Sequence, residues 1–192
     1  MNNKKVILIP SYEPTLSFID LLKKIKKHHF EVIVVNDGSG KDYDNIFKEV
    51  KKYAHVIEYD TNRGKGHALK IGIKYINDKY KKDYYIITMD CDGQHSIEDA
   101  IKLSNYVEEN PSELVLGKRI RSKKTPIRSR IGNAITRFTY RITTGLDVYD
   151  TQTGLRAFSY KLTPLMLSIK GERFEYEMNV LLNCPINKIK IK

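Results

Sequence analysis

The sequence contains little cysteine and no long apolar run. Its two cysteines, Cys91 and Cys184, stand far apart and form no CxxC pattern. This argues against a disulfide framework and against a structural zinc site. No stretch approaches the ~18 apolar residues of a membrane-spanning helix. The basic and then apolar start of the chain reaches only Ile9 before Pro10, so it predicts a strand and not a signal peptide.

Two glycine-rich nucleotide-binding patterns are also missing. The segment 62–68 (NRGKGHA) places two glycines and Lys65 at a predicted helix start, where backbone N–H groups and a cation could hold an anion. It lacks the spacing of a P-loop. It also lacks Gly-x-Gly-x-x-Gly, which argues against a dinucleotide-dependent dehydrogenase.

The composition is that of a globular protein with an excess of positive charge. The 192 residues are 41% hydrophobic and 30% charged, which is enough for one domain with a core and too short for two full ones. The formal net charge is +11. This charge favours acidic partners such as phosphates, nucleic acid or an anionic membrane surface. It is equally consistent with lysines scattered over solvated faces.

Short apolar runs alternate with amphipathic segments over the first part of the chain. Strands are predicted at 6–9, 31–35, 55–59, 83–89 and 113–117, and helices at 15–29, 44–53, 65–77 and 96–109, the last with Ser96 as its N-cap. Such alternation is typical of a mostly parallel sheet with helices on both faces. Ligands bind to such α/β sheets beyond the carboxyl ends of the strands.

The pattern changes after Gly117, because the segment 118–141 contains nine Lys or Arg residues. A helix is predicted at 127–144, a strand at 156–159, and helices at 164–168 and 174–183. Residues 186–192 alternate apolar residues with Lys, like the start of a strand. We therefore expect one domain over 1–192. Because the chain stops in mid-strand, we expect it to be truncated or naturally shortened at its C-terminus.

The strongest local signal is the pair Asp90 and Asp92, which follows the apolar run at 83–89. Two carboxylates at the exit of a buried strand could bind one divalent cation, Mg²⁺ or Mn²⁺, and bridge it to a diphosphate. Gly93 allows a sharp turn, and Gln94 follows within reach of the same site. Taken alone, the pair is as consistent with an acidic turn as with a metal site.

Other candidate residues also allow two interpretations. Asp37 ends the second predicted strand, where it could accept hydrogen bonds from a base or ribose, or could belong to a turn. The cationic segment 118–141 contains few aromatic residues, which favours phosphate or headgroup binding over single-stranded nucleic acid. Glu175 and Glu177 start the last predicted helix, where they could simply stabilise its N-terminus.

The order of the motifs is more informative than any one of them. The series is 9–14 (IPSYEP), 35–39 (VNDGS), 62–66 (NRGKG), 89–95 (MDCDGQH), 117–119 (GKR), 151–156 (TQTGLR) and 174–177 (FEYE). It resembles the family 2 inverting glycosyltransferases, and within them the dolichyl-phosphate mannose synthase group and its bacterial relatives that use undecaprenyl phosphate. The resemblance spans essentially the whole chain. It departs mildly at 153–156, where the relatives usually read Ser-Gly-Phe-Arg.

The resemblance implies a GT-A type nucleotide-sugar-binding fold with 1–117 as the donor-binding part and 118–192 as the acceptor-binding part. The implied donor site consists of Pro10, Tyr12, Glu13, Asp37, Lys65, Asp90, Cys91, Asp92, Gln94, Arg119, Arg128, Arg130 and Arg156. The implied ligands of Mg²⁺ or Mn²⁺ are Asp90, Asp92 and Gln94. The implied catalytic residues are Asp92, Asp150, Glu175 and Glu177.

The implied activity is that of a metal-dependent hexosyltransferase. It would move a hexose, with inversion, from a UDP- or GDP-linked sugar to a polyprenyl (dolichyl or undecaprenyl) phosphate. The alternative acceptor is a hydroxyl of a glycan or cell-surface polysaccharide, which would require a carboxylate base. The implied location is cytoplasmic and peripheral at the inner face of the membrane. The resemblance also implies a membrane-protein partner or a missing C-terminal membrane segment. It implies no nucleic-acid partner.

Two rival classes fit the sequence less well. A nucleotidyltransferase also combines an α/β sheet with acidic metal ligands, but it normally has a glycine-rich, basic loop directly after the first strand. This chain has Ser11, Tyr12 and Glu13 there. A non-catalytic module for anionic ligands would not need Asp90 and Asp92 together with Asp37.

Overall fold

The computed structural model describes residues 3–117 and 153–192, which form a six-stranded sheet. Its strands are β1 (Lys4–Ser11), β2 (Glu31–Asp37), β3 (His55–Tyr59), β4 (Tyr84–Thr88), β5 (Val115–Leu116) and β6 (Arg156–Ser159). The strand order is β3-β2-β1-β4-β6-β5. Strands β3, β2, β1 and β4 are parallel, whereas β6 runs antiparallel to both β4 and β5. The predicted mostly parallel sheet is confirmed.

A helix follows each of the four parallel strands, as the sequence predicts: α1 (Ser17–Ile25), α2 (Asp44–Val50), α3 (Lys65–Tyr80) and α4 (Ile97–Glu109). Helices α5 (Thr163–Ser168) and α6 (Glu175–Ile186) come after β6. Ser96 caps α4 as predicted, because its Oγ accepts a hydrogen bond from the Asp99 N–H at 3.0 Å. An N-cap acceptor of this kind satisfies one of the N–H groups that the first helical turn leaves unpaired.

The last predicted strand is wrong in its extent. Helix α6 continues to Ile186, with Pro185 inside its last turn, so residue 186 cannot start a strand. Ile191 forms a single parallel bridge to Leu114, supported by Lys192 N–H donating to Leu114 O at 2.9 Å. The alternation of apolar residues and Lys at 186–192 therefore predicted a longer strand than the structure contains.

The core lies on both faces of the sheet, which explains the unbroken apolar run in β1. Val6 and Leu8 are buried with residues of α3, α5 and α6. Ile7 and Ile9 point to the opposite face and are buried with residues of α1, α2 and α4. Successive side chains of a strand point to opposite faces, so a strand covered on both sides must be apolar at every position.

The parallel strands bring the motifs of the sequence to one edge. The carboxyl ends of β1, β2 and β4 lie at Ser11, Asp37 and Thr88, and the segments that follow them share that edge. No helix within residues 3–117 and 153–192 is long and apolar enough to cross a membrane.

Candidate active site

A cavity of about 550 Å³ opens at the carboxyl ends of β1, β2 and β4. Its wall comes from the segments 10–12 and 90–92 and from Asp37, Asn62, Gly64, Lys65, Arg173, Phe174 and Glu177. The predicted site residues that line it are Pro10, Tyr12, Asp37, Lys65, Asp90, Cys91, Asp92 and Glu177. Residues far apart in the sequence therefore meet where a parallel sheet is expected to bind its ligand.

An ion cluster forms the floor of this cavity. The Lys65 ammonium lies 2.7 Å from Asp90 Oδ1 and 2.8 Å from Glu177 Oε2. All of these side chains are largely withdrawn from solvent, with 17% of Lys65, 19% of Asp90 and 10% of Glu177 exposed. One cation is thus shared by two carboxylates in a poorly solvated place, where charges interact strongly.

Asp90 is held as a carboxylate by the Lys65 ammonium at one oxygen and the His95 ring at the other. Burial by itself would raise its pKa, but the hydrogen bond from His95 and the neighbouring Lys65 ammonium hold the pKa well below the usual value. The His95 Nε2 lies 3.1 Å from Asp90 Oδ2. His95 is itself buried. Asp90 therefore keeps its negative charge and a fixed orientation.

The lack of a side chain at Gly154 leaves space for the Asp90 carboxylate. A Cβ at position 154 would lie 2.3 Å from Asp90 Oδ2 and 2.4 Å from Oδ1, far inside van der Waals contact. The Gly154 carbonyl in turn accepts a hydrogen bond from Thr88 Oγ1 at 2.8 Å. The glycine of the 151–156 motif is required because the carboxylate of the 89–95 motif packs on its Cα.

The first turn of α3 packs closely on the loop before α6, which brings Lys65 to Glu177. The His67 N–H donates to the Glu172 carbonyl at 2.8 Å. The Glu172 carboxylate pairs with His67 Nδ1 at 2.7 Å and with Lys70 Nζ at 2.5 Å. A Cβ on Gly66 would lie only 2.5 Å from the Tyr176 Cβ. Glycine at position 66 is thus needed for this approach.

Asp92 presents its carboxylate at the exposed side of the cavity. Its Oδ1 accepts a hydrogen bond from the Gln94 N–H at 3.0 Å, so Asp92 shapes the turn at 92–94 as well as lining the cavity. Gln94 is exposed and is not part of the cavity wall. The two aspartates therefore differ, because Asp90 is largely withdrawn from solvent between Lys65 and His95 whereas Asp92 faces solvent.

The chemistry of this donor set fits a hard divalent cation. Within residues 3–117 and 153–192, no three His, Cys, Asp or Glu side chains form a metal-binding group. Mg²⁺ does not need such a group when substrate phosphates supply further oxygens, since one or two carboxylates then suffice. Asp92 offers an accessible carboxylate, and Glu177 Oε1 is a buried acceptor with no hydrogen-bond partner among the described side chains and backbone.

Asp37 organises the loop that precedes α3. Its carboxylate accepts hydrogen bonds from Tyr59 Oη at 2.7 Å, from Asn62 Nδ2 at 3.1 Å, and from the N–H groups of Arg63 and Gly64 at 2.9 Å each. Burial and this carboxylate raise the Tyr59 pKa well above its usual range. Asp37 lines the cavity but is only 3% exposed. Its predicted contact with a base or ribose stays a prediction.

Glu177 and Glu175 occupy different environments although both begin α6. Glu177 faces the cavity, whereas Glu175 is exposed and its Oε1 accepts from the N–H groups of Glu172 and Arg173 at 3.0 and 3.2 Å. Residues two apart on a helix do not share a face. Glu175 thus closes the turn before α6, and its predicted catalytic role stays a prediction without a place in the cavity wall.

Arg156 lies behind Glu177 and not in the wall of the cavity. It is 4% exposed, and its Nη1 donates to the Glu177 carbonyl at 2.7 Å while its Nε donates to the Thr153 carbonyl at 3.0 Å. Its Nε is also 3.9 Å from Glu177 Oε1. These contacts indicate that Arg156 fixes the position of Glu177. The predicted contact of Arg156 with the donor stays a prediction.

The rest of the predicted donor site is partly exposed. Tyr12, 47% exposed, lines the cavity, and Glu13 is exposed with its N–H donating to Ser39 Oγ at 2.9 Å. Cys91 lines the cavity, and burial raises the pKa of its thiol. Predicted residues Arg119, Arg128, Arg130 and Asp150 lie outside the described residues.

Sequence reasoning missed the contributions of Asn62, Arg173 and Phe174. All three line the cavity, and Phe174 is 77% exposed. Arg173 and Phe174 directly precede the acidic pair of α6. A cation and an aromatic ring just before this acidic pair were a usable signal for a site that binds a charged and partly aromatic ligand.

Comparisons with known proteins agree with the motif order. The model of Glycosyl transferase family 2 matches residues 6–164. The chain is 31% identical over 192 residues to an uncharacterised protein of Methanocaldococcus jannaschii, covering 97% of this chain and 77% of that one. It is 28% identical over 211 residues to a protein of Methanococcus voltae named UDP-N-acetylglucosamine–dolichyl-phosphate N-acetylglucosaminyltransferase, covering 96% and 81%.

A solved structure supports the same fold. The crystal structure of residues 1–349 of TarS from S. aureus superposes with a TM-score of 0.58 at 17% identity, covering 93% of this chain and 54% of that chain. At this identity the likeness concerns the fold alone, and it agrees with the GT-A type fold that the motif order implies. Since the family model matches most of the chain and a relative above 30% identity spans nearly all of it, the chain belongs to glycosyl transferase family 2.

Proposed function

We propose that this protein transfers a hexose or N-acetylhexosamine unit, with inversion, from a nucleoside diphosphate sugar to a polyprenyl phosphate. The observation that supports this most directly is the cavity that combines the accessible Asp92 carboxylate with the buried cluster of Lys65, Asp90 and Glu177. The relative of M. voltae, whose name states a UDP-sugar donor and a dolichyl-phosphate acceptor, supports the same substrates.

The donor would bind across the carboxyl ends of the strands, with its diphosphate near the ion cluster. Asp92, assisted by Asp90, would hold a Mg²⁺ or Mn²⁺ ion with the diphosphate oxygens. A bound cation supplies Lewis-acid stabilisation of the leaving diphosphate. Tyr12 and Phe174 are exposed aromatic rings of the cavity wall on which a base could stack.

Lys65 contributes a fixed positive charge where negative charge accumulates. Its ammonium is held by Asp90 and Glu177, so it is oriented before the substrate arrives. Groups that are oriented in advance stabilise developing charge without a cost of reorganisation. Arg156 keeps Glu177 in place through the backbone carbonyl of that residue.

A lipid phosphate acceptor suits this site better than a hydroxyl. A phosphate is already an anion near neutral pH and needs no general base, whereas a hydroxyl must lose a proton to a carboxylate. The cavity-facing Glu177 already pairs with Lys65 at 2.8 Å and lies 3.9 Å from Arg156 Nε. The ion pairing of Glu177 therefore favours the lipid phosphate.

The acceptor part of the proposal concerns residues 118–192. Their Lys and Arg content suits an anionic acceptor at a membrane surface, since basic segments are attracted to anionic headgroups. We propose that the protein works peripherally at the cytoplasmic face of a membrane. Arg119, Arg128 and Arg130 would meet the acceptor phosphate or the donor diphosphate.

Ligand-induced thermal stabilisation tests the donor site. The melting temperature is measured with UDP, GDP and their hexose and N-acetylhexosamine derivatives, each with and without Mn²⁺. A ligand at 100 times its dissociation constant stabilises the folded state by about 2.7 kcal/mol, so one nucleotide series should raise the melting temperature clearly. An unchanged melting temperature with every nucleotide would contradict the proposed donor.

A further inference from the structure

The ion pairs of Lys65 raise the question of how a metal ion reaches the same carboxylates. Three carboxylates line the cavity, those of Asp90, Asp92 and Glu177. The Lys65 ammonium is 2.7 Å from the first and 2.8 Å from the last. A lysine in this position neutralises the charge that would otherwise attract a divalent cation.

Both partners hold Lys65 firmly. The second oxygen of Asp90 lies 3.1 Å from His95 Nε2, and the backbone carbonyl of Glu177 accepts from Arg156 Nη1 at 2.7 Å. The Lys65 ammonium is therefore fixed between the carboxylates of Asp90 and Glu177.

We propose that Lys65 is a built-in counter-ion that makes divalent-cation binding conditional on the nucleoside diphosphate. The cluster repels a second cation as long as Lys65 neutralises Asp90 and Glu177. A diphosphate brings negative charge that attracts the ammonium, and it brings oxygen ligands for a cation next to Asp92. This inference rests on the proposed function in that the conditional ligand is a nucleoside diphosphate.

The arrangement also predicts what happens without the ammonium. Lys65→Met removes the charge while keeping an unbranched side chain of similar length. The part of the cavity wall that the structure describes would then carry the carboxylates of Asp90, Asp92 and Glu177 without the Lys65 charge. A more negative cavity attracts a divalent cation more strongly. The substitution is therefore expected to create metal affinity that does not depend on nucleotide.

Electron paramagnetic resonance of free Mn²⁺ measures this binding without any assay of activity. We expect the wild-type protein to bind Mn²⁺ at least 10-fold more tightly with UDP or GDP than without nucleotide. We expect Lys65→Met to bind Mn²⁺ without nucleotide at least 10-fold more tightly than the wild type. The control is Lys70→Met on the same helix, because Lys70 pairs with Glu172 outside the cavity wall and should leave Mn²⁺ binding unchanged.

Two results would overturn the inference. One is equal binding of Mn²⁺ to Lys65→Met and to the wild type without nucleotide; the other is equally tight wild-type binding with and without a bound nucleotide. Circular dichroism checks that each variant is folded. If Lys65→Met does not fold, Lys65→Gln replaces it in the same comparison, and the Mn²⁺ that the nucleotide binds in protein-free solution is subtracted from every titration.

The outcomes also separate this inference from the proposed function. If neither UDP nor GDP binds the wild type, the proposed donor is wrong. A gain of nucleotide-independent Mn²⁺ binding in Lys65→Met would still show that Lys65 excludes the cation. If nucleotides bind but Lys65→Met gains nothing, the donor site stands and the role of Lys65 is refuted.

Discussion

Replacing Gly154 by alanine tests whether the carboxylate of Asp90 is as tightly fixed as the structure indicates. The added methyl group would lie 2.3 and 2.4 Å from the two Asp90 oxygens, about 1 Å inside ordinary contact. The short Asp90 side chain has little freedom to yield, because its oxygens lie 2.7 Å from Lys65 Nζ and 3.1 Å from His95 Nε2. Either these ion pairs break or the backbone at 154 moves.

Overpacking of this kind typically costs about 1–3 kcal/mol. If the backbone moves, the cost appears as a melting temperature lower by about 2–12 °C, at about 2–4 °C per kcal/mol for a chain of this size. If Asp90 moves, the cost appears as weaker binding of the nucleotide with Mn²⁺, by about 5- to 150-fold at a factor of ten per 1.4 kcal/mol. Calorimetry of unfolding and isothermal titration measure the two effects separately.

The control is Gly40→Ala, because a Cβ on Gly40 would meet no atom within 4 Å and the φ of this residue is −63°. Gly40→Ala should leave both the melting temperature and the binding of nucleotide unchanged. The reasoning is refuted if Gly154→Ala behaves like Gly40→Ala in both measurements. That result would mean that the Asp90 carboxylate is free to turn away at no cost.

Three further substitutions test other parts of the site. Tyr59→Phe removes the hydrogen bond to the Asp37 carboxylate and should lower the free energy of unfolding by about 1.5–3 kcal/mol, measured by urea denaturation. Asp92→Asn should reduce metal-dependent turnover by about 100-fold, the typical cost of losing one group that stabilises transition-state charge, yet change stability by no more than about 0.5 kcal/mol because Asp92 is exposed. Asp90→Asn should reduce the loss of unfolding free energy that acid causes. The folded-state pKa of Asp90 is lowered, so the ionised carboxylate stabilises the fold fully above its ordinary pKa of about 3.9. That stabilisation is lost as the pH falls through the folded-state pKa.

Each of these predictions has an outcome that contradicts it. An unchanged urea midpoint in Tyr59→Phe would mean that the loop before α3 does not depend on this bond. Normal metal-dependent turnover in Asp92→Asn would remove the metal assignment. For Asp90, the unfolding free energy is compared between pH 7 and pH 2.5. An equal loss in Asp90→Asn and in the wild type would show that the Asp90 ion pairs do not stabilise the fold.

The parallel part of the fold could be predicted because its three inner strands, β1, β2 and β4, are covered on both faces. The continuous apolar runs in β1, β2 and β4 follow from that burial, and the helices between them show a 3.6-residue period. The position of β6, antiparallel between β4 and β5, could not be predicted. The local pattern of a short apolar strand contains no information about its neighbours or its direction.

The location of the site could be predicted from the sequence, but most of the contacts within it could not. The motifs at strand ends indicated where Asp37, Asp90 and Asp92 would meet, because parallel strands end at one edge. The sequence pattern did not reveal that Lys65 bridges Asp90 and Glu177, since that contact depends on how closely α3 packs against the loop before α6. It also did not separate Glu177 from Glu175, which requires the rotation of α6 about its axis.

The central claim is tested most directly by following the sugar itself. Radiolabelled UDP-N-acetylglucosamine, UDP-glucose and GDP-mannose are each incubated with the protein, Mn²⁺ and either dolichyl or undecaprenyl phosphate in detergent, with the unphosphorylated polyprenol as the control acceptor. The account predicts that label from one donor moves into the organic phase with a polyprenyl phosphate, but not with the polyprenol and not with Asp92→Asn. Equal labelling of the polyprenol, or label that moves to a glycan hydroxyl and never to the lipid phosphate, would contradict it.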